Sequence, residues 1–364
     1  MSIKVCFLTA IASKYKMEMW KHVAEEVDVT ILLKDMESTH RHDSFYDYEV
    51  GNAKLVYLKD DYKQVLNQYA QSHDILIDSI YSTKEGVYAT WAFHKNHKKT
   101  VLIADGGLAK KRNPIMNQII SFFMKRHDYF FSSSNVTDRY FKHYGVDPNK
   151  ILHYELSSFT KEDIENNRKL SERKVELRKE LGLDDSFMWI SVGRPIPRKG
   201  FDILVKAFHK STHENEMCCY IVGGEAEENV NALINQYQIP NIHFIETLSK
   251  DDLAKYYAAS DAFILPTRYD IWGLVINEAM SFGLPVITSD QCVAGMHFHE
   301  KNQSVFIVEN ENVDAYAEAM KRIYEDAEYR DRLSQLSLDI IQDNTIQNGA
   351  KDIVCDIKDI CNHV

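Results

Sequence analysis

The sequence predicts an α/β protein made of two doubly wound, Rossmann-like domains, and three observations predict it. The chain has 364 residues, about twice the usual domain of 100 to 200 residues. Short β-like apolar runs alternate with helical stretches in each half of the chain, the pattern of a parallel sheet covered by helices. The charge also divides, because residues 1–182 carry 28 Lys plus Arg against 25 Asp plus Glu, whereas residues 183–364 carry 15 against 29. A slightly basic half joined to an acidic half implies two units with different partners.

In the first half, residues 4–10, 27–33, 55–58, 75–78, 100–104 and 129–133 each read as a buried strand. Residues 161–180 hold 13 charged side chains with almost no apolar periodicity, which reads as a connection plus a solvated helix. In the second half, strands are expected at 188–192, 218–222, 242–245, 262–265 and 285–288, with helices at 201–210, 228–238, 251–259 and 273–282. Ile346, Ala350, Ile353, Val354, Ile357 and Ile360 fall at helical spacing, an amphipathic last helix that needs a surface to cover. The expected organisation is an N-terminal Rossmann-like domain over 1–160, a connecting segment over 161–185 and a second Rossmann-like domain over 186–342. A final helix over 343–364 packs back on the first domain. Two such domains facing each other put the carboxyl ends of both sheets at a shared interdomain cleft, where sheets of this kind bind ligands.

Composition removes several classes of function. Hydrophobic residues at 45% and charged residues at 27% exclude disordered, collagenous and disulfide-scaffold proteins. A net charge of −11 argues against nucleic acid as a partner. Cys6, Cys218, Cys219, Cys292, Cys355 and Cys361 contain no C-x-x-C pair, so they read as small apolar residues of a reducing compartment, with the cytoplasm the simplest address. No apolar run approaches the 18 residues or so of a membrane span. The 15 histidines form no cluster at metal spacing, and His297 and His299 read as loop residues.

Two motifs carry chemistry. The first is Gly193-Arg194-Pro195-Ile196-Pro197-Arg198-Lys199-Gly200, between an expected strand and a helix. A guanidinium at Arg194 and an ammonium at Lys199, held on a short loop at a sheet edge, make a clamp for a diphosphate. Solvated loop cations are the plain alternative. The second runs from Pro266 to Ile287. Asp270 sits on its loop, Gly273 and Leu274 open a helix whose free amides favour a phosphate, and Glu278 follows one turn on. Taken alone, a D-x7-E pair is as readily a helix-start charge and a solvated helix residue.

Together these residues resemble the donor-binding domain of the family 4 glycosyltransferases, over about 187–290. The loop at 290–295 and the stretch 132–145 are similar to the subgroup that builds bacterial capsular and surface polysaccharides. The resemblance implies the GT-B fold and a retaining transfer from a nucleotide-diphosphate sugar, a UDP-sugar foremost, to a glycan or lipid-linked acceptor. It implies that Arg194 and Lys199 neutralise the diphosphate, Asp270 contacts the transferred sugar and Glu278 binds the ribose, with Gly193, Gly273 and Leu274 around the donor. The departing phosphate oxygen then takes the acceptor proton. No cofactor and no metal are expected, since the chain contains no D-x-D.

Two positions depart from the pattern. Asp270 stands where the family usually has Glu, which bears on the sugar. The loop after the first strand lacks the usual glycine pair and offers Ser13 instead, while Asp105 and Gly106 fall where relatives often place a histidine facing the cleft. Ser13, Asp105 and Gly106 are therefore the acceptor-side candidates. The chemistry-bearing residues equally suit another GT-B enzyme, an epimerase or phosphorylase, and a non-catalytic sugar-nucleotide binder.

One further segment stands out. Lys110, Lys111, Arg112, Lys125 and Arg126 flank Ile115, Met116, Ile119, Ile120, Phe122, Phe123 and Met124. The plain reading is a core-facing helix with ordinary end charges. The alternative is a peripheral contact with anionic lipid at the inner face of the cell membrane.

Overall fold

The computed structural model describes residues 2–35, 46–110, 112–183, 185–211, 213 and 216–362. The chain divides into two compact units, Met1–Ser157 with Asn344–Val364, and Ser158–Asp343.

In the first unit the elements run β1 (Lys4–Thr9), α1 (Lys14–Val23), β2 (Asp28–Leu33), β3 (Lys54–Tyr57), α2 (Tyr62–Ser72), β4 (Ile75–Asp78), α3 (Lys84–Lys95), β5 (Lys99–Ala104), α4 (Pro114–Met124), β6 (Tyr129–Ser132), α5 (Asn135–His143) and β7 (Ile151–His153). All paired strands are parallel, in the order β3-β2-β1-β4-β5-β6-β7. From Val5 to Thr9, β1 is buried throughout, as a strand covered on both faces must be. On β1, Phe7 stacks on Trp20 of α1 with ring centroids 4.1 Å apart.

The second unit runs α6 (Lys161–Ser171), α7 (Lys174–Glu180), β8 (Phe187–Val192), α8 (Phe201–Lys210), β9 (Met217–Val222), α9 (Glu228–Tyr237), β10 (Ile242–Ile245), α10 (Lys250–Ala259), β11 (Ala262–Leu265), α11 (Leu274–Ser281), β12 (Val286–Ser289), α12 (Val293–Asn302), β13 (Val305–Val308), α13 (Val313–Glu325) and α14 (Ala327–Ile341). Its parallel sheet has the order β10-β9-β8-β11-β12-β13. Strand order therefore reverses between β8 and β11, and in the first sheet between β1 and β4. Loops leaving such a pair diverge to opposite faces and leave a crevice at the carboxyl edge. The chain then returns to the first unit as α15 (Ile346–Asn362). All six apolar residues expected on this helix are buried, and it packs against α1.

The structure corrects several sequence expectations. Residues 161–180, expected as a connection plus a solvated helix, form the two helices α6 and α7, and both belong to the second unit. Their charged side chains supply the contacts that apolar ones usually supply: Arg178 and Lys174 reach Asp261 at 2.6 and 2.9 Å, and Lys250 reaches Asp163 at 2.7 Å. His297 and His299 lie on helix α12, not a loop, with His297 buried and His299 Nδ1 2.9 Å from the Val305 carbonyl. Strands β7 and β13 and helices α13 and α14 were not expected at all. The segment around Ile115 to Phe122 is a helix as read, but only one of its faces meets a core: Met124 is buried and Ile120 packs against its cluster, whereas Ile115, Met116, Ile119 and Phe122 are exposed. Lys111 lies outside the described residues. Among those described, no helix is long and apolar enough to cross a membrane.

Candidate functional site

In the second unit, the loops after the neighbouring strands β8 and β11 form one hydrogen-bonded clasp. At the end of β8, Gly193 turns the chain and its N–H donates to the Val222 carbonyl at 2.9 Å. The Arg198 carbonyl then accepts from the Arg268 N–H at 2.8 Å and the Thr267 hydroxyl at 3.0 Å. In return, the Arg198 guanidinium donates to the Tyr269 carbonyl at 2.6 Å. Arg268 grips Asp202 with both arms, at 2.9 and 2.8 Å, and donates to the Pro197 carbonyl at 2.6 Å. Gly200 permits this closeness. Its φ is 74°, and a Cβ there would lie 2.0 Å from the Pro266 carbonyl oxygen, so only glycine fits.

The clasp brings Lys199 to Asp270. Lys199 is 9% exposed, and its ammonium donates to Asp270 Oδ2 at 2.7 Å, with an Arg198 nitrogen 3.4 Å from the same oxygen. A lysine so deep in a protein requires a counter-charge, and Asp270 provides it. The Asp270 N–H donates to the Gln291 carbonyl at 2.9 Å, which ties the acid to the loop after β12. Burial, and then the Asp270 charge, push the Cys292 thiol up to about 12. It is therefore a neutral thiol, donating to the Trp272 carbonyl at 3.3 Å.

Gly273 has φ 97° and caps α11, whose start carries no side-chain cap and no acidic residue in its first turn. Leu274 is its first residue, so these amides and the positive end of the helix dipole open onto the carboxyl edge of the sheet. Four residues on, about 6 Å along the axis, Glu278 accepts from the buried Tyr257 hydroxyl at 3.0 Å. Burial holds its carboxyl above the ordinary value, and the Tyr257 hydrogen bond partly offsets this. Arg194 is exposed on the loop leaving β8.

Thus Gly193, Arg194, Lys199, Asp270, Gly273, Leu274 and Glu278 all lie on the two loops and one helix that follow β8 and β11. Sequence reasoning missed the roles of Arg198, Asp202, Arg268 and Tyr257. Arg198 and Arg268 sat inside the quoted motifs, but nothing in their spacing distinguishes a cation that grips a loop from one that faces a ligand. Tyr257, on α10, gave no signal.

In the first unit, Ser13 is buried just before α1. Asp105 lies beyond the end of β5 with Gly106 after it. One Asp105 oxygen accepts from the Tyr15 hydroxyl at 2.7 Å and pairs with Lys16 at 2.8 Å. The Asp105 carbonyl accepts from Ser133 at 2.9 Å. The loop of Ser13 and the loop of Asp105, separate readings in the sequence, are joined by the start of α1. Burial first, and then the Asp105 charge, raise the Tyr15 hydroxyl well above its ordinary pKa, so it stays a hydrogen-bond donor.

Residues 173–337 match the family model of the glycosyl transferases group 1. The chain is 28% identical over 188 residues to the glycosyltransferase MJ1607 of Methanocaldococcus jannaschii, covering 50% of this chain and 48% of that protein. It is 33% identical over 132 residues to the O-antigen biosynthesis glycosyltransferase WclY of Escherichia coli, covering 35% of each. The match thus spans half or less of these relatives. Among solved structures, Anabaena Alr3699/HepE in complex with UDP-glucose superposes with a TM-score of 0.77 at 16% identity, each chain covered in full. The two parallel sheets are those of the GT-B fold, and the match to the glycosyl transferases group 1 model lies within the second unit.

Proposed function

We propose that the chain is a retaining glycosyltransferase that moves a sugar from a nucleotide-diphosphate sugar, a UDP-sugar foremost, to a glycan or lipid-linked acceptor in surface polysaccharide synthesis. The observation that carries the proposal is the Lys199–Asp270 pair, 2.7 Å apart and largely buried at the strand-order reversal, beside an uncapped helix start. Desolvating two charges is a poor way to gain stability. At the place where such sheets bind ligands, a charge-rich group is the natural reason for it.

Breaking a glycosyl phosphate bond leaves negative charge on the diphosphate and positive character on the sugar. Arg194, Lys199 and the amides of Gly273 and Leu274 take the leaving group. Asp270 takes the transferred sugar, Glu278 the ribose, and Gly193 leaves the floor of the donor site open. Ser13, Asp105 and Gly106 are assigned to the acceptor side. The departing phosphate oxygen accepts the acceptor's proton on the same face, which retains configuration. Cationic side chains neutralise the leaving group in this scheme, so no metal and no cofactor is required. The names of WclY and of the UDP-glucose complex support the choice of pathway and nucleotide. All six cysteines are free thiols, which supports a cytoplasmic location.

A thermal-shift screen of nucleotide sugars with chelator present, followed by a transfer assay, tests the reading. A UDP-sugar is expected to raise the melting temperature, and Arg194→Ala or Lys199→Ala to abolish transfer while the protein stays folded. Full transfer by either variant overturns the clamp, and a need for added divalent metal overturns the metal-free scheme. Donor binding with neither transfer nor hydrolysis makes the protein a sensor.

A further inference from the structure

From Gly106 to His127 the chain contains no Asp or Glu but five Lys and Arg, within a protein of net charge −11. Helix α4 occupies the middle of this stretch. Its N-terminus is set by Asn113, whose side chain accepts from the Ile115 N–H at 2.9 Å, and by Pro114 in the first turn. Met124 is buried and Ile120 packs toward the cluster of Phe130, Phe141 and Tyr144, while the Ser121 hydroxyl donates to the Tyr144 carbonyl at 2.6 Å. These contacts fix which face looks outward. That face carries Ile115, Met116, Ile119 and Phe122, exposed by 66, 46, 44 and 61%. The described residues include only four other exposed large apolar side chains, spread over four other segments.

Scattered apolar residues on a surface mean nothing, but a contiguous apolar ridge does. The ridge is bordered by exposed Lys110 and Arg112 at one end and by Lys125 and Arg126 at the other, and the Arg126 guanidinium sits 5.4 Å from the Phe122 ring. Apolar side chains in the middle with cations at both ends match the interface of an anionic bilayer, acyl chains below and phosphates around. A second copy of the chain fits less well, since two such faces would bring their cations together.

We propose that the outward face of α4 docks the first unit onto a membrane rich in anionic phospholipid, with Ile115, Ile119 and Phe122 in the acyl boundary and the flanking cations on the headgroups. The proposal rests on α4 and not on the sugar-donor reading. Lipid binding and transfer are separate measurements, so either can fail alone.

Flotation of the full chain with phosphatidylcholine vesicles, with and without equimolar phosphatidylglycerol, is the test. The protein is expected to float with the mixed vesicles and not with phosphatidylcholine alone, and to release at high salt. Lys125→Gln with Arg126→Gln should weaken binding about fivefold per charge. Ile119→Ser with Phe122→Ser should abolish flotation with no loss of thermal stability, because both side chains already face water. Absence of flotation with the mixed vesicles overturns the proposal, as does unchanged flotation of the serine variant. So does a solution dimer that the serine variant turns into monomer, which assigns the face to a second copy.

Discussion

Asp270→Asn isolates the buried pair that organises the clasp. The substitution keeps shape and hydrogen-bonding capacity but leaves Lys199, 9% exposed, with no carboxylate at 2.7 Å. Removing one partner of a buried ion pair costs about 3 kcal/mol, and for a unit of this size each kcal/mol lowers the melting midpoint by about 2–4 °C. The midpoint is therefore expected to fall by roughly 6–12 °C. The double variant Lys199→Met with Asp270→Asn removes the stranded charge as well, and should recover much of the loss. Denaturant unfolding followed by the fluorescence of buried Trp189 and Trp272, both in the second unit, measures the three variants. UDP provides a second readout: with the carboxylate gone, a diphosphate is the remaining counter-charge for Lys199, so UDP should stabilise Asp270→Asn more than the parent. An Asp270→Asn protein within about 0.5 kcal/mol of the parent refutes the reasoning, as does a double variant less stable than the single.

Two pH-dependent outcomes follow from the carboxyls that burial perturbs. Glu278 is held above its ordinary pKa, so its contribution to stability is whole below the ordinary value and is lost as pH rises through the raised one. Glu278→Gln should therefore stabilise the ligand-free protein at neutral pH, with the gain vanishing in acid, while weakening UDP binding about tenfold; melting curves across pH and UDP titration measure both. On α15, burial and then the charges of Asp352 and Asp359 push Asp356 up to about 6. Stability from this half-buried group is lost as pH rises through about 6. Asp356→Asn is expected to gain about 1 kcal/mol above that pH, a figure reduced for solvent screening, and equal stabilities at pH 8 would refute the assignment.

The strands between Phe187 and Ser289 are legible because each is a mainly apolar run, buried along most of its length except in the edge strand β10, and bounded by a charged or glycine-containing loop. The same logic misses β7 and β13. These edge strands of three and four residues are only partly buried, and each adjoins a helix or turn rich in polar residues. Residues 161–180 mislead for a different reason. Their packing on α10 is secured by Lys250 and Asp163, and by Lys255 and Glu180 at 2.9 Å, and ion pairs leave no hydrophobic period to read. At the site, charge and spacing mark Lys199, Asp270 and Glu278. That Arg198 and Arg268 hold carbonyls across two loops is a fact of three-dimensional proximity, and nothing in a local window encodes it.

The short acid at position 270 acquires a physical role from this clasp. Between Gly193 and Gly200 the loop carries Arg194, Arg198 and Lys199 and no acid. On the facing loop, Arg268 is already matched by Asp202 and Glu311. Arg198 and Lys199 share the single carboxylate of Asp270, so this pair of cations carries one positive charge more than that acid offsets. Because Arg198 and Lys199 both approach the same Asp270 oxygen, at 3.4 and 2.7 Å, one can turn to a phosphate while the other keeps the carboxylate paired. The ligand then enters without stranding a buried charge at any stage, a condition that the desolvation cost of an unpaired ion makes strict. A glutamate at this position would carry its oxygen one methylene further from the backbone that the Gln291 carbonyl anchors, and would have to fold back or shift to keep both cations.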